Sequence, residues 1–200
     1  MRYPDFFNEV EPIDTVDPLA DTLGAVENGL ITYEYIDMVK LAGHSCPTVA
    51  GAWLMSKIGL QKLYGEELPV RGNIKVELRG ALEEGVEGVI GSCIGLVTGA
   101  ANEGGFKGLG GKFARNNRLV YGANIDADVR LTRLDTAKSV NVSYNPSAVP
   151  GSPEMQMLMQ KVVQGVATQE EKKRFGELWQ ERVKKILLQK ELWAQMVTLS

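Results

Sequence analysis

The spacing of apolar positions changes several times along this chain, and each change marks an element. Tyr35, Met38, Val39 and Leu41-Ala42 form a broad apolar face that predicts a helix over 31–42. Pro47 ends that segment, because the residue before a proline is pushed out of the helical region. Thr48 then caps a second predicted helix over 48–64, with Val49, Trp53, Leu54, Ile58 and Leu63 near helical spacing. Gly51 and Gly59 weaken it by about 1 kcal/mol each relative to alanine, and Gly51 suggests that another backbone comes close. The period drops to two where Ile74, Val76 and Leu78 alternate with Lys75, Glu77 and Arg79, a half-buried strand. Glu83-Glu84-Gly85 reads as a turn and Val86–Ser92 as a return strand, while Cys93–Thr98 fits either a strand or a short helix. Arg118-Leu119-Val120-Tyr121 is a short strand. Val129 and Leu131, then Val140, Val142 and Tyr144, mark two more, with Asp135-Thr136 as the hairpin turn between them.

These elements divide the chain into three stretches. Residues 1–28, with Pro4, Pro12, Pro18 and several acids, predict a partly extended arm. Residues 29–150 are β-rich with helices around them, an α+β pattern. Pro146, Pro150, Gly151 and Pro153 form a linker, after which the composition turns to helix formers. Ser152-Pro153 is a cap followed by proline at the first helical position. Thr168 and Glu171 make a capping box, and Phe175, Leu178-Trp179, Val183 and Ile186-Leu187 form a regular stripe. Residues 151–200 are therefore expected to be a C-terminal helical hairpin, packed on the core or exchanged with a second subunit. Trp179 and Trp193 then belong to the core or to a dimer interface.

Composition narrows the function classes. A chain of 200 residues with 44% hydrophobic content suits one compact domain with an appendage. A net charge of −3 lacks the basic stripe of a nucleic-acid surface. No run approaches the ~18 apolar residues of a membrane span, and the acidic start has no apolar targeting core. The expectation is a soluble, cytoplasmic protein without membrane or nucleic-acid partners. Two cysteines cannot build a disulfide framework, and in a reducing compartment both are thiols, a Cys46–Cys93 bridge being the exception.

The chemistry concentrates at Gly43-His44-Ser45-Cys46-Pro47. His44 is the only histidine and lies two residues from Cys46, in a loop that runs into a helix start. A thiolate is favoured there by free N–H groups and the helix dipole. Imidazole with thiolate suits Zn²⁺, Fe or Ni rather than Mg²⁺ or Ca²⁺. The plainer alternative makes His44 a surface or capping residue and Cys46 a small buried hydrophobe. Cys93, in an apolar setting, is either a third ligand or a core residue. A second feature is the glycine-rich run from Gly104 to Asn117. Gly105, Gly108 and Gly110 let the backbone approach a ligand, while Lys107, Lys112 and Arg115 add positive charge. It could cradle a carboxylate or phosphate, or be a mobile surface loop or a tight crossing between strands. It is neither a P-loop nor a dinucleotide fingerprint. Glu83, Glu84 and Glu87 read as a solvated turn, and no serine-nucleophile elbow is present.

Gly43-His44-Ser45-Cys46-Pro47, followed by Gly51, resembles the Gly-His-x-Cys-Pro signature of the FmdE-like proteins, a family named after formylmethanofuran dehydrogenase. The resemblance runs from about Tyr33 to Asn145. It takes in the Lys75–Leu78 strand, Val97-Thr98-Gly99 and the glycine-rich run into Arg118-Leu119-Val120-Tyr121. It implies a metal-binding α+β domain, usually dimeric, with a mixed, mostly antiparallel sheet flanked by helices. The implied ligands are His44 and Cys46 with other cysteines, here Cys93. The chain departs from the family where Thr98-Gly99 is followed by Ala100 rather than cysteine. No cysteine-rich zinc finger follows Cys93.

Three readings follow. The first is a metal-dependent enzyme or accessory in one-carbon or redox metabolism, Zn²⁺ foremost, with the glycine-rich loop holding a small anionic ligand. The second is a metal or haem carrier without turnover, because Cys46-Pro47 resembles the Cys-Pro motif of haem-responsive proteins. The third is a dimeric interaction protein in which the loop is structural.

Overall fold

The computed structural model describes residues 3–200. Near the N-terminus a 3-10 turn at Asp5–Glu9 buries Phe6 and Phe7, and β1 (Ile13–Val16) and α1 (Pro18–Thr22) follow. β1 pairs antiparallel with β2 (Leu30–Tyr33), Ile13 opposite Tyr33 and Val16 opposite Leu30. The helix expected from residue 31 therefore begins later, as α2 (Tyr35–Ala42), entered through a Glu34/Asp37 capping box. Ahead of it the chain is extended because its ladder partner is the N-terminal arm.

α3 (Pro47–Tyr64) is the central helix, and apolar on nearly every side because it is covered on nearly every side. It lies across the strands. Its N-cap is Cys46, with Pro47 at the first helical position, rather than Thr48. At Gly51 an added Cβ would sit 2.8 Å from Tyr144 Cζ and closer still to two other ring carbons. At Gly59 it would meet Leu131 Cδ1 at 2.8 Å. The close approach is thus to side chains of the sheet. β3 (Ile74–Leu78) buries Ile74, Val76 and Leu78.

The next element corrects the sequence reading. Residues expected as a return strand over Val86–Ser92 instead form α4 (Glu87–Thr98), which continues through Cys93. Its buried positions Ile90, Cys93, Ile94 and Val97 fall at helical spacing. Gly91 and Gly95 let Tyr121 and the Ala100 carbonyl press against it. The chain returns as β4 (Leu119–Val120), then β5 (Val129–Arg133) and β6 (Ser139–Tyr144). α5 (Pro153–Val163) and α6 (Gln169–Leu188) form the expected hairpin, with Ser152 and the Thr168/Glu171 box as caps. α7 (Trp193–Met196) leads into β7 (Val197–Leu199), a strand the sequence reading missed.

The main sheet has the order β4-β3-β5-β6-β7, with β3 and β4 parallel and the other neighbours antiparallel. This is the α+β class, a mixed and mostly antiparallel sheet under helices. Tyr144 pairs with Val197, so the C-terminal segment shares the sheet of the middle one. Val183, Ile186 and Leu187 of α6 join the common core around α3. Among the described residues no helix is long and apolar enough to cross a membrane.

Candidate functional site

Gly43 ends α2 in the left-handed conformation, φ +76°, which turns the chain sharply into the His44–Cys46 loop. Cys46 is buried at 7% exposure, and its Sγ accepts the Val49 N–H at 3.4 Å, as an N-cap does. Helix N-termini lack internal partners for their first N–H groups, and here the sulfur satisfies one of them. His44 is exposed, and its Nδ1 lies 2.9 Å from the Ala42 carbonyl. A carbonyl only accepts, so Nδ1 donates in this bond, and the neutral ring then presents its lone pair at Nε2.

The loop is clamped by residues that sequence reasoning did not find. Trp179 Nε1 and Gln180 Nε2, both on α6, donate to the Ser45 carbonyl at 3.0 and 3.1 Å. Tyr35 shares a 3.0 Å hydrogen bond with the Ser45 hydroxyl. Tyr144 donates to the Pro47 carbonyl at 3.0 Å. Trp179 therefore packs on the core, and its indole fixes the loop's backbone.

Cys46 and Cys93 are both buried free thiols, not a disulfide. They are close enough for their charges to interact. Burial, and then the charge of Cys46, pushes the Cys93 thiol up to about 12. Burial likewise raises Tyr35 and Tyr144 above their ordinary range, with Cys46 adding to both. Raised values favour the neutral forms in the folded state. Their contribution to stability is complete below the unfolded Cys value of about 9 and is lost as pH climbs through the folded value near 12. A urea midpoint measured from pH 8 to 11 should fall steadily above 9, and less steeply in Cys93→Ala.

His44 thus faces solvent while the two sulfurs face inward. Imidazole plus thiolate suits a soft cation in kind, but the number of donors falls short. Among the described residues no three His, Cys, Asp or Glu side chains form a group that could hold a metal ion.

The glycine-rich loop is built separately. Its backbone bonds run within the segment, Leu109 with Lys112 and Arg115 with Phe106, or to the residues just before it, Arg115 with Ala101, and Gly105 and Asn117 with Asn102. None of its hydrogen bonds or ion pairs among the described residues reaches 43–47. Gly105 packs on Ala101 and Asn116, while Gly108 and Gly110 adopt positive φ. Lys107 and Lys112 are exposed. Arg115 is buried, with its guanidinium on Asp17 at 2.6 Å.

A pocket of ≈ 290 Å³ opens beside the start of α3. Thr48, Glu87, Asp128 and Tyr144 supply its polar groups, and Met55 and Ile90 part of its apolar wall. Glu87, read from sequence as a solvated turn residue, has Oε2 buried without a hydrogen-bond partner. Burial and the nearby Asp128 and Glu84 raise its pKa, against Arg79. Asp128 is held by Arg79 at 2.7 Å and by the Tyr144 N–H at 2.8 Å.

A family model described as FmdE, Molybdenum formylmethanofuran dehydrogenase operon, matches residues 41–192. No curated relative matches the chain. The matched span contains the whole 43–47 loop, Cys93, the glycine-rich run and the α6 residues that grip Ser45.

Proposed function

This chain belongs to the FmdE family, and we propose that within it the protein binds a soft transition-metal ion, Zn²⁺ foremost, at the His44–Cys46 loop. The observation that carries this reading is the Cys46 sulfur held as the N-cap of an eighteen-residue helix, with the lone pair of His44 Nε2 free two residues away. Both features also cap helix ends, the sulfur at the start of α3 and the imidazole at the last carbonyl of α2, and both atoms are donors of the kind a soft cation takes.

The described residues of one chain supply too few donors for a closed four-coordinate site. The remaining positions go to water, a small ligand or a second copy of the chain, so a homodimer belongs to the proposal. A bound ion would supply Lewis-acid polarisation. The chain's own part is to fix the loop through Trp179, Gln180 and Tyr144 and to hold the thiol at the helix end.

Metal analysis and a Co²⁺ titration followed by absorbance test it. Wild type should bind near one ion per chain with a thiolate charge-transfer band, and His44→Ala/Cys46→Ala should lose both. Sedimentation with and without Zn²⁺ shows whether a second copy completes the shell. A Soret band after haem addition, lost in Cys46→Ala, would move the reading to a haem carrier. Metal-free, colourless wild type that stays so after Zn²⁺, Co²⁺ and haem would overturn both and leave a structural loop.

A further inference from the structure

At the base of the glycine-rich segment Arg115 meets two arginines from outside it, Arg71 and Arg118. Arg71, Gly72, Asn73, Phe113, Arg115 and Arg118 line a pocket of ≈ 190 Å³. Three guanidinium groups meet there, and the carboxylate beside them is Asp17. Asp17 is already shared, with Arg71 at 2.8 Å and Arg115 at 2.6 Å. Arg118 has no ion-pair partner among the described residues. Burial and the charge of Arg115 lower its pKa, so its cation is held where it is disfavoured. Arg115 is only 7% exposed, and its Nη1 has no hydrogen-bond partner. Three cations against one carboxylate leave a surplus of about two positive charges in a partly desolvated pocket.

The framework around this surplus is fixed. Arg118 is set by its own N–H on the Ala101 carbonyl, 2.9 Å, and by the Val76 N–H on its carbonyl, 2.7 Å. Gly72, at φ +83°, donates to the Thr98 carbonyl at 2.6 Å, and its missing side chain leaves room for the Arg115 guanidinium. Arg71 Nε and Nη2 donate to the Leu96 carbonyl at 3.3 and 3.2 Å. A surface arginine without a partner is ordinary because water solvates it. An arginine held in a pocket against a second, buried arginine is a cost that a bound anion removes.

We propose that this pocket binds a doubly charged oxyanion of the phosphate class, either inorganic phosphate or the head of a phosphate ester. The charge decides the class, since a dianion balances the surplus whereas a carboxylate leaves half of it. The geometry agrees, because guanidinium forks match phosphate oxygens in paired hydrogen bonds. Arg118 and Arg71 are the principal contacts, and Lys107 and Lys112 at the exposed part of the loop are not required. The site is independent of the metal reading, since none of its residues lies in the 43–47 loop.

The test is calorimetric titration and thermal unfolding of the full chain with sodium phosphate, glycerol phosphate, acetate and chloride at matched ionic strength. Phosphate should bind and raise the midpoint, as a ligand of the native state does. Arg118→Gln should weaken phosphate by about ten- to a hundredfold, the loss of charge-assisted bonds, while its midpoint without phosphate stays at or above wild type because a repulsion is gone. Lys107→Gln/Lys112→Gln should bind as wild type. Tighter binding of glycerol phosphate would identify an ester head, and of inorganic phosphate the free anion. Phosphate no better than chloride or acetate, unchanged binding in Arg118→Gln, or loss in the lysine variant would each overturn the proposal, and Co²⁺ binding at Cys46 would be untouched by any of them.

Discussion

Replacing Asp17 with alanine should destabilise the protein by about 3–5 kcal/mol, the range for removing one partner of a buried ion pair. Asp17 is 3% exposed and receives Arg71 and Arg115 together. It also caps α1, accepting the Leu19 and Ala20 N–H groups at 2.9 and 3.3 Å. The cap accounts for about 1 kcal/mol of the loss. The larger part is the buried Arg115 guanidinium left beside Arg118 without its carboxylate. Asp17→Asn keeps the shape and much of the cap but not the charge, so it should fall between alanine and wild type. Burial alone would raise the pKa of Asp17, but Arg71 and Arg115 outweigh it and hold the value below the usual 3.8. The sign follows: this stabilisation is present above about pH 4 and is lost as pH falls through the folded value. Urea unfolding at pH 7 and pH 3 measures both effects. A cost under about 1 kcal/mol at pH 7 would reduce Asp17 to a helix cap.

That pairing also shows where the sequence stops being legible. Arg71 and Arg115 lie 54 and 98 residues from Asp17. No local pattern joins them, and the glycines around Arg115 suggested an anion cradle, a mobile surface loop or a tight crossing between strands instead. Elements with one exposed face were readable, because burial then leaves a period. Ile74, Val76 and Leu78 alternate as they should, and the Ser152 and Thr168 caps sit where their side chains indicated. α4 was not readable as a helix because its glycines and apolar residues blur the contrast between faces. β7 is three residues long, and what makes it a strand is the β6 edge it joins.

The candidate site divides along the same line. Cys46 at a helix start is local, and Pro47 announces it. The clamps on the loop are not local, since Tyr144 and Trp179 reach it across 97 and 134 residues. Gly51 was the one sequence hint of such a contact.

Gly51→Ala tests how firmly that contact holds the loop. In an open helix the change would stabilise by about 1 kcal/mol. Here the new Cβ would fall 2.8 Å from Tyr144 Cζ and closer to Cδ1 and Cε1. These are carbons of a half-buried ring tied at both ends, by the β6 backbone and by its hydroxyl on the Pro47 carbonyl. Moving the ring gives up that hydrogen bond and distorts packing, an overpacking cost of about 1–3 kcal/mol at its upper end. The clash wins, and the net expectation is about 2 kcal/mol of destabilisation. In a Tyr144→Ala background the obstacle is gone and only the helix preference remains, so Gly51→Ala should there stabilise by about 1 kcal/mol. The sign reversal amounts to about 3 kcal/mol of coupling, at the upper end for residues in contact. Urea denaturation of the four proteins in the cycle measures it. Because Tyr144 also anchors the turn that carries Cys46, Gly51→Ala should weaken Co²⁺ binding although it touches no ligand. Additive effects on stability with unchanged Co²⁺ affinity would show that the cap holds the thiol without help from the sheet.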